Sequence, residues 1–159
     1  MRRPWNIPDL PVYSLATYFG DRVNMNICTY VSAISMKPKQ YMVAVYKDTK
    51  TLDNLLAGSN AVLQLLHSSQ SALVNVLGKK SGRSTDKQKY LERKNALVTW
   101  NDRKVLSDAC AWLELKPAGK TETEGDHVLF YFDVIRFKTN SDKSCLMVSR
   151  LISEGRILG

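Results

Sequence analysis

Short runs of β-branched and aromatic residues recur along the whole sequence, and they constrain the fold more than any other feature. Residues 27–35 place Ile27, Thr29 and Val31 on one face, as expected of a strand, whereas residues 41–46 are continuously apolar, which suits a strand buried on both faces. Val, Tyr, Phe and Ile are frequent in these runs, and this composition favours strands over helices. The predicted strands are residues 12–19, 27–35, 41–46, 62–66, 109–115, 127–138 and 145–152.

Three short helices are predicted between the strands. They are residues 51–56, 69–77 and 85–94. The first has Thr49 or Thr51 as its N-cap, and the last opens on a capping-box pattern with Thr85 at the cap and is polar enough to lie on the surface. Because helices do not alternate regularly with strands, a βαβ array is disfavoured. The sequence predicts a mainly β protein, a small antiparallel barrel with peripheral helices.

Length and cysteine usage set the broad class of protein. The 159 residues suit a single domain spanning 1–159. Cys28, Cys110 and Cys145 are too few and too widely spaced for a disulfide framework or a zinc site, so free thiols in a reducing compartment are expected. No apolar run approaches the ~18 residues of a membrane span, and none follows the basic start as in a signal peptide. We therefore expect a cytoplasmic protein without a membrane partner.

Well-known catalytic motifs are missing from the sequence. It contains no GxxxxGK[ST], GxGxxG, GxSxG or HExxH pattern, so neither a P-loop nor a dinucleotide-binding fold is supported. With only His67 and His127, a histidine-rich metal site is excluded, and no metal is expected. The net charge of +8 is compatible with nucleic acid, an acidic membrane surface or a small phosphorylated ligand.

Residues 47–52 have the chemistry of a phosphate site. A predicted buried strand exits here into Lys-Asp-Thr-Lys-Thr at the start of a helix, where backbone N–H groups are unpaired. Thr49 and Thr51 add hydroxyl donors, and Lys47 or Lys50 adds charge. The alternative is an ordinary capped helix beside solvated lysines, since Thr caps are common.

Four further patterns occur in one order along the chain. They are Asn24 with Thr29-Tyr30-Val31, Ser35, Pro38 and Thr51; Ser81-Gly82-Arg83 with Asp86-Lys87; Gly125-Asp126-His127; and Leu151-Ile152 with Gly155-Arg156. In this order they resemble the flavin reductase-like family over residues 14–159. The resemblance implies that the barrel is the FMN-binding split β-barrel of that family.

The resemblance also implies where FMN would bind. Thr29, Tyr30 and Val31 would lie along the flavin, and Ser35 would approach the ribityl chain or the phosphate. The residues implied in cofactor binding are Asn24, Cys28, Thr29, Tyr30, Val31, Ser35, Thr49, Lys50, Thr51, Ser81, Gly82, Arg83 and Lys87, the last four on a loop that could reach the cofactor from a second subunit. His127 would lie at an open face where a nicotinamide could stack.

Two departures from the family pattern affect the expected function. Pro38 is followed by Lys39 where the family often has a second proline. Phe132, flanked by Tyr131, stands where the family often has a glycine, and these rings are expected to narrow the site facing the flavin. This expectation leaves two functions open: an FMN-binding oxidoreductase that takes hydride from NAD(P)H, and a flavin carrier or electron-transfer protein without that activity.

Partners follow from charge and size. Residues 79–104 hold nine Lys and Arg against three acids, which keeps a nucleic-acid-binding barrel as a remote alternative, although only Tyr90 and Trp100 lie in this stretch for base stacking. A homodimer is expected, because a second copy related by a two-fold axis is the commonest way to cover a partly open cofactor site.

Overall fold

Nine strands and four short α-helices make up the part of the chain that the computed structural model describes, residues 1–158. The strands are β1 (Tyr13–Phe19), β2 (Arg22–Met25), β3 (Val31–Met36), β4 (Lys39–Tyr46), β5 (Ala61–Leu65), β6 (Leu97–Trp100), β7 (Arg103–Leu106), β8 (Ala111–Glu122) and β9 (His127–Thr139). The α-helices are α1 (Lys50–Leu56), α2 (Val74–Leu77), α3 (Lys87–Arg93) and α4 (Val148–Ser153), and two 3-10 helices cover Pro4–Asn6 and Ser68–Leu73. Within residues 1–158, no helix is long and apolar enough to cross a membrane.

Seven strands form one antiparallel sheet in the order β2-β1-β5-β8-β9-β4-β3, and β6 and β7 form a separate hairpin. The segment between β2 and β3 is attached to β1 by an isolated β-bridge. There the Tyr13 N–H of β1 donates to the Cys28 carbonyl (2.9 Å), and the Cys28 N–H donates back to the Tyr13 carbonyl (2.8 Å). One large antiparallel sheet with few, short helices confirms the predicted mainly β fold, a split β-barrel with peripheral helices.

Two separate apolar cores stabilise the barrel. The inner core contains Leu15, Val43, Leu63, Leu115 and Phe132, all facing the barrel axis from different strands. The outer core covers the opposite face of β1 and β5 with the short helices, and its members include Val12, Ala16, Val62, Leu77, Leu91, Trp112 and Leu151. Because side chains fill the barrel interior, a ligand must bind on its outside.

Two strand predictions need correction. Residues 27–30 lie outside the strands, so the predicted strand 27–35 is reduced to β3 and an isolated bridge at Cys28. The predicted strand 145–152 is wrong, because Val148–Ser153 forms α4. Val148 and Leu151 are spaced as on one face of a helix and pack on the outer core, and this packing outweighs the strand propensity of the run.

The helices also differ in detail from the prediction. Of the two predicted N-caps of α1, Thr49 is the one observed, and its hydroxyl accepts from the Leu52 N–H (3.2 Å). Asp86, not Thr85, caps α3, because its carboxylate accepts from the Lys89 N–H (3.0 Å). The predicted helix 69–77 is split between a 3-10 helix and α2. Nor is α3 a surface helix: one of its faces is buried.

Side chains of β8 and β9 hold the turn of the β6–β7 hairpin. Asn101 and Asp102 adopt positive φ angles of 49° and 59° in this turn. The Asn101 amide donates to the Glu114 carboxylate (2.7 Å), which also accepts from the Arg136 guanidinium (2.9 Å). The Glu114 side chain is only 7% exposed, so its charge is neutralised by partners rather than by water.

Candidate functional site

A cleft of about 270 Å³ lies outside the barrel, where the segment before β3 meets the start of α1 and the loop that follows α2. Most of the predicted site residues line it: Asn24, Cys28, Thr29, Tyr30, Thr49, Lys50, Thr51, Ser81, Gly82, Lys87 and His127. These residues come from chain segments far apart in the sequence. The fold therefore brings together a set of residues that was predicted from separate motifs.

The α1 end of the cleft is rich in hydroxyl groups. The Thr49 hydroxyl accepts the capping bond described above and donates to the Tyr46 carbonyl (2.8 Å), so it is already used. The Thr51 side chain is buried, and its hydroxyl accepts from the Asn24 amide (3.2 Å). That bond leaves the Thr51 proton free to be donated to a ligand. Because α1 has only two turns, its dipole is weak, and its side chains contribute more to the binding of an anion.

Of Lys47 and Lys50, only one lines this end of the cleft. Lys47 is turned away, and its ammonium donates to the Thr123 carbonyl (2.9 Å) in the connection between β8 and β9. Lys50 lines the cleft, with its ammonium 5.3 Å from the centre of the Phe19 ring. Of the two lysines considered from the sequence, Lys50 is therefore the one available to an anion in the cleft.

Gly82 allows the loop of residues 78–86 to approach the cleft wall closely. A Cβ atom at this position would lie 2.1 Å from the Asn24 Oδ1 and 3.1 Å from the Lys50 Cβ. The 2.1 Å contact is not tolerated, so any larger residue would displace the Asn24 side chain from Thr51. The glycine is therefore required by space rather than by its backbone conformation.

Lys87 brings a buried charge to the same wall. It is 5% exposed, and its ammonium donates to the Leu77 carbonyl (2.8 Å). Within residues 1–158, no carboxylate forms an ion pair with it, and desolvation lowers its pKa to about 8. An ammonium has three N–H donors, so two remain for another partner. Burying an ammonium without an acidic partner is costly, and an anion beside it would offset that cost.

Arg83 lies beside the cleft and does not line it. Its guanidinium makes two parallel bonds of 2.9 Å to the Asp53 carboxylate on α1, and it also pairs with Asp48. The guanidinium holds the pKa of Asp53 below its ordinary value. Arg83 thus ties the 78–86 loop to α1, and its single charge is shared between Asp53 and Asp48, a carboxylate that does line the cleft.

Three rings form a rim at the other end of the cleft. The His127 ring centre lies 5.3 Å from that of Tyr30 and 5.4 Å from that of Tyr46, and both tyrosines are exposed. The His127 Nδ1 is 2.6 Å from the Asp126 carboxylate, and this contact lowers the pKa of Asp126. Exposed rings at these separations offer a surface on which another planar ring can stack.

Three predicted site residues do not line the cleft. Val31 packs against the inner core, and Ser35 is further along β3, paired with Gln40. Arg83 acts through Asp48 and Asp53, as described above. Phe132 does not narrow the cleft as expected: it is fully buried in the inner core and stacks on Phe130 at 6.1 Å, so that prediction is wrong.

Some cleft residues were not identified from the sequence. Tyr46 and Asp48 line the cleft, as do Asn26, Ala44, Leu77, Gly78 and Lys80. Tyr46 and Asp48 had a recognisable signal, because Tyr46 ends a predicted strand and Asp48 lies within residues 47–52. Gly78 and Lys80 reach the cleft only because the loop after α2 folds back.

The basic segment 79–104 does not form one continuous positive face. Arg83, Arg103 and Lys104 are engaged in ion pairs with acidic residues. Lys87 is buried in the cleft wall. Much of the charge in this segment is thus used within the fold.

The family model for the flavin reductase like domain matches residues 9–150. A search of curated proteins by sequence finds no match.

Several solved structures share the fold. An FMN-binding protein from Thermus thermophilus with bound 1-cyclohex-2-enone is 23% identical, with a TM-score of 0.74 over 87% of this chain and 75% of the other. The NADH:FAD oxidoreductase SgcE6 from Streptomyces globisporus C-1027 is 17% identical, with a TM-score of 0.80 over 92% and 84%. The flavin reductase of styrene monooxygenase from Pseudomonas putida S12 is 19% identical, with a TM-score of 0.74 over 89% and 86%.

Proposed function

The chain belongs to the flavin reductase like family, and on that premise we propose that it binds FMN in the cleft and takes hydride from NAD(P)H onto the flavin. The buried ammonium of Lys87 carries this proposal, because it needs an anion on the cleft side of the wall. When bound, the flavin supplies the hydride-accepting chemistry, while the protein supplies binding, orientation and exclusion of water.

The residues at the α1 end fit a phosphate group. Lys50 and Lys87 provide two positive charges. The Thr51 hydroxyl, which also lines the cleft, has a proton to donate. The carboxylate of Asp48 would oppose an anion, and Arg83 offsets this charge in part because it pairs with both Asp48 and Asp53. Charge-assisted hydrogen bonds of this type are stronger than neutral ones, so this end would contribute most of the affinity.

The middle of the cleft fits the polar edge of a flavin ring. Within residues 1–158, the backbone N–H groups of Thr29 and Tyr30 donate to no other protein group. Unpaired amides at the surface of a cleft are available to carbonyl oxygens and ring nitrogens of a ligand. The rim of Tyr30, Tyr46 and His127 would then face the exposed side of the ring, where a nicotinamide can stack.

Flavin binding and turnover are tested separately. The purified protein is expected to show a flavin absorption spectrum or to acquire it on titration with FMN, and to bind riboflavin more weakly because riboflavin has no phosphate. Oxidation of NADH or NADPH is then followed with the flavin-loaded protein. Absence of flavin binding would overturn the whole proposal, whereas binding without turnover would indicate a flavin carrier or electron-transfer protein.

We further propose that the protein is a homodimer. Ile135 and Phe137 on β9, and Ile34 and Met36 on β3, are exposed apolar side chains that a second copy could cover. Sedimentation equilibrium gives the mass directly. A mass equal to one chain at all concentrations would contradict the dimer, and it would leave the flavin proposal intact.

A further inference from the structure

Two of the three cysteines meet near the end of β5, away from the cleft. Cys110 directly precedes β8 and is fully buried, and its N–H donates to the Leu65 carbonyl (2.7 Å). Cys145 is half-buried and forms an isolated β-bridge with His67. His67 lies two residues after Leu65, the residue that pairs with Cys110. The fold therefore brings together two thiols that are distant in sequence.

Contacts of the Cys110 sulfur show how closely the two residues approach. Its Sγ lies 3.6 Å from the Lys143 carbonyl oxygen and 3.8 Å from the Leu66 carbonyl oxygen. The Leu66 carbonyl also accepts from the Leu146 N–H (2.8 Å). Lys143 and Leu146 flank Cys145, so the Cys110 thiol rests against the segment that carries Cys145.

The Cys145 side chain also affects the titration of Cys110. Burial, and after it the neighbouring Cys145 thiol, raises the pKa of Cys110 to about 11. Cys110 is thus protonated at neutral pH and is not the thiol that an oxidant attacks first. Cys145 is the more exposed of the two, which makes it the site of first attack.

We propose that Cys110 and Cys145 form a reversible oxidation site, in which a peroxide converts the two thiols into an intramolecular disulfide. This inference concerns a region outside the cleft and does not rest on the proposed flavin chemistry. It goes beyond the free thiols expected from the sequence, because it assigns a joint reactivity to one pair of them.

The chemistry takes place in two balanced steps. The Cys145 thiolate attacks one oxygen of hydrogen peroxide, the O–O bond breaks, and Cys145 sulfenic acid and hydroxide are formed. The Cys110 sulfur then attacks the sulfenic sulfur, the S–O bond breaks, and the Cys110 proton leaves with the hydroxyl group as water. Overall, two thiols lose two electrons and two protons, and one peroxide is reduced to two waters.

The disulfide would change the stability of a defined part of the chain. It would close a loop that contains the whole β8–β9 hairpin and would fix the segment leading into α4. Closing a loop of this length restricts the unfolded chain, so we expect the melting temperature to rise by about 5–10 °C on oxidation.

The test uses the wild-type protein, dilute and free of reductant, treated with a small excess of hydrogen peroxide. Peptide mapping without reduction is expected to show one linked pair of peptides, containing Cys110 and Cys145, that separates on treatment with dithiothreitol. The same sample should show the rise in melting temperature. Because the wild type is used, the result does not depend on whether a variant folds.

Cys28 provides the matched control. It lies in the cleft wall, and burial raises its pKa to about 12, so the Cys28→Ser protein should form the same link as the wild type. The Cys145→Ser protein should form no intramolecular link. The proposal is overturned if Cys145 is oxidised to sulfinic acid without linkage, if Cys28 enters the disulfide, or if the link joins two chains.

Discussion

Among single residues, Lys87 has the largest consequence for ligand binding. Its ammonium is buried without an acidic partner within residues 1–158, and desolvation alone lowers its pKa from 10.5 to about 8. A phosphate beside it would favour the charged form and raise that pKa. Binding and protonation of Lys87 are therefore linked.

We expect the affinity for FMN to decrease as the pH rises through about 8, because Lys87 then loses its proton. The change should be about tenfold or more, the loss of one charge-assisted contact. Fluorescence titration from pH 7 to pH 9.5 measures it. Riboflavin should lack this dependence, and so should Lys87→Arg, which stays charged. An equal pH dependence in Lys87→Met would contradict the assignment.

Stability without ligand should change in the opposite direction. The folded pKa of Lys87 lies below its unfolded value, so the folded state binds fewer protons between pH 8 and pH 10.5. The free energy of unfolding contributed by this group therefore rises across that window and is smallest below pH 8. Urea denaturation at several pH values gives the free energy of unfolding of the wild type minus that of Lys87→Met. If this difference falls as the pH rises from 8 to 10.5, the prediction is contradicted.

Gly82 permits a prediction about space. In Gly82→Ala the new Cβ would overlap the Asn24 amide, which must move away from Thr51. We expect a loss of about 1–3 kcal/mol in stability, as in other overpacked sites, and weaker FMN binding. Gly119→Ala is the matched control, because its Cβ would meet only Tyr131 at an ordinary 3.7 Å. Thermal melts and FMN titrations of both variants test this prediction. Equal losses of stability and affinity in Gly82→Ala and Gly119→Ala would argue against close packing at Gly82.

For whole elements, the β6–β7 hairpin shows how a short element depends on its neighbours. Its turn residue Asn101 is held by Glu114 and Arg136, whose side chains come from β8 and β9. Neither strand of the hairpin is longer than four residues. Such a hairpin is only marginally stable in isolation, so these contacts are needed to keep it in place.

Removal of the Glu114 carboxylate should therefore loosen the hairpin. Glu114→Ala removes the partner of Asn101, Arg103 and Arg136. Because the Arg136 guanidinium is half exposed and can be hydrated, we expect stability to fall by about 1–3 kcal/mol. Glu114→Gln keeps the shape and some hydrogen bonds, so its effect should be smaller. Hydrogen exchange should show faster opening of β6 and β7 than of β1. Equal effects of the two variants would show that shape matters here more than charge.

The same dependence explains which elements could be predicted from the sequence. Long runs such as β4 and β9 carry enough β-branched and aromatic residues to be recognised. The strands β2, β6 and β7 have four residues each and were missed, because their pairing partners define them. In the cleft, separate motifs predicted most of the wall, but the burial of Lys87 depends on its contact with Leu77 and has no local signal.

The molecule as a whole is organised around its two cores, and Phe132 belongs to the inner one. Phe132→Ala should create a cavity and reduce the free energy of unfolding by about 3–5 kcal/mol. The affinity for FMN at a temperature where the variant is folded should stay within about twofold, since this ring does not line the cleft. Chemical denaturation and FMN titration measure both quantities. Tighter binding of a nicotinamide nucleotide by this variant than by the wild type would contradict this prediction, because it would show that Phe132 narrows the nicotinamide site.

The position of the cleft outside a filled barrel has a consequence for how the family can diversify. Most of its wall residues lie in connections, chiefly the segment before β3 and the loop after α2, while the strands carry the inner core. Mutations in the connections can alter which ligand is preferred without disturbing the barrel that supports them. The loop of residues 78–86 could therefore be exchanged between relatives provided that Gly82 and the Arg83–Asp53 pair, which fix it to the rest of the fold, are kept.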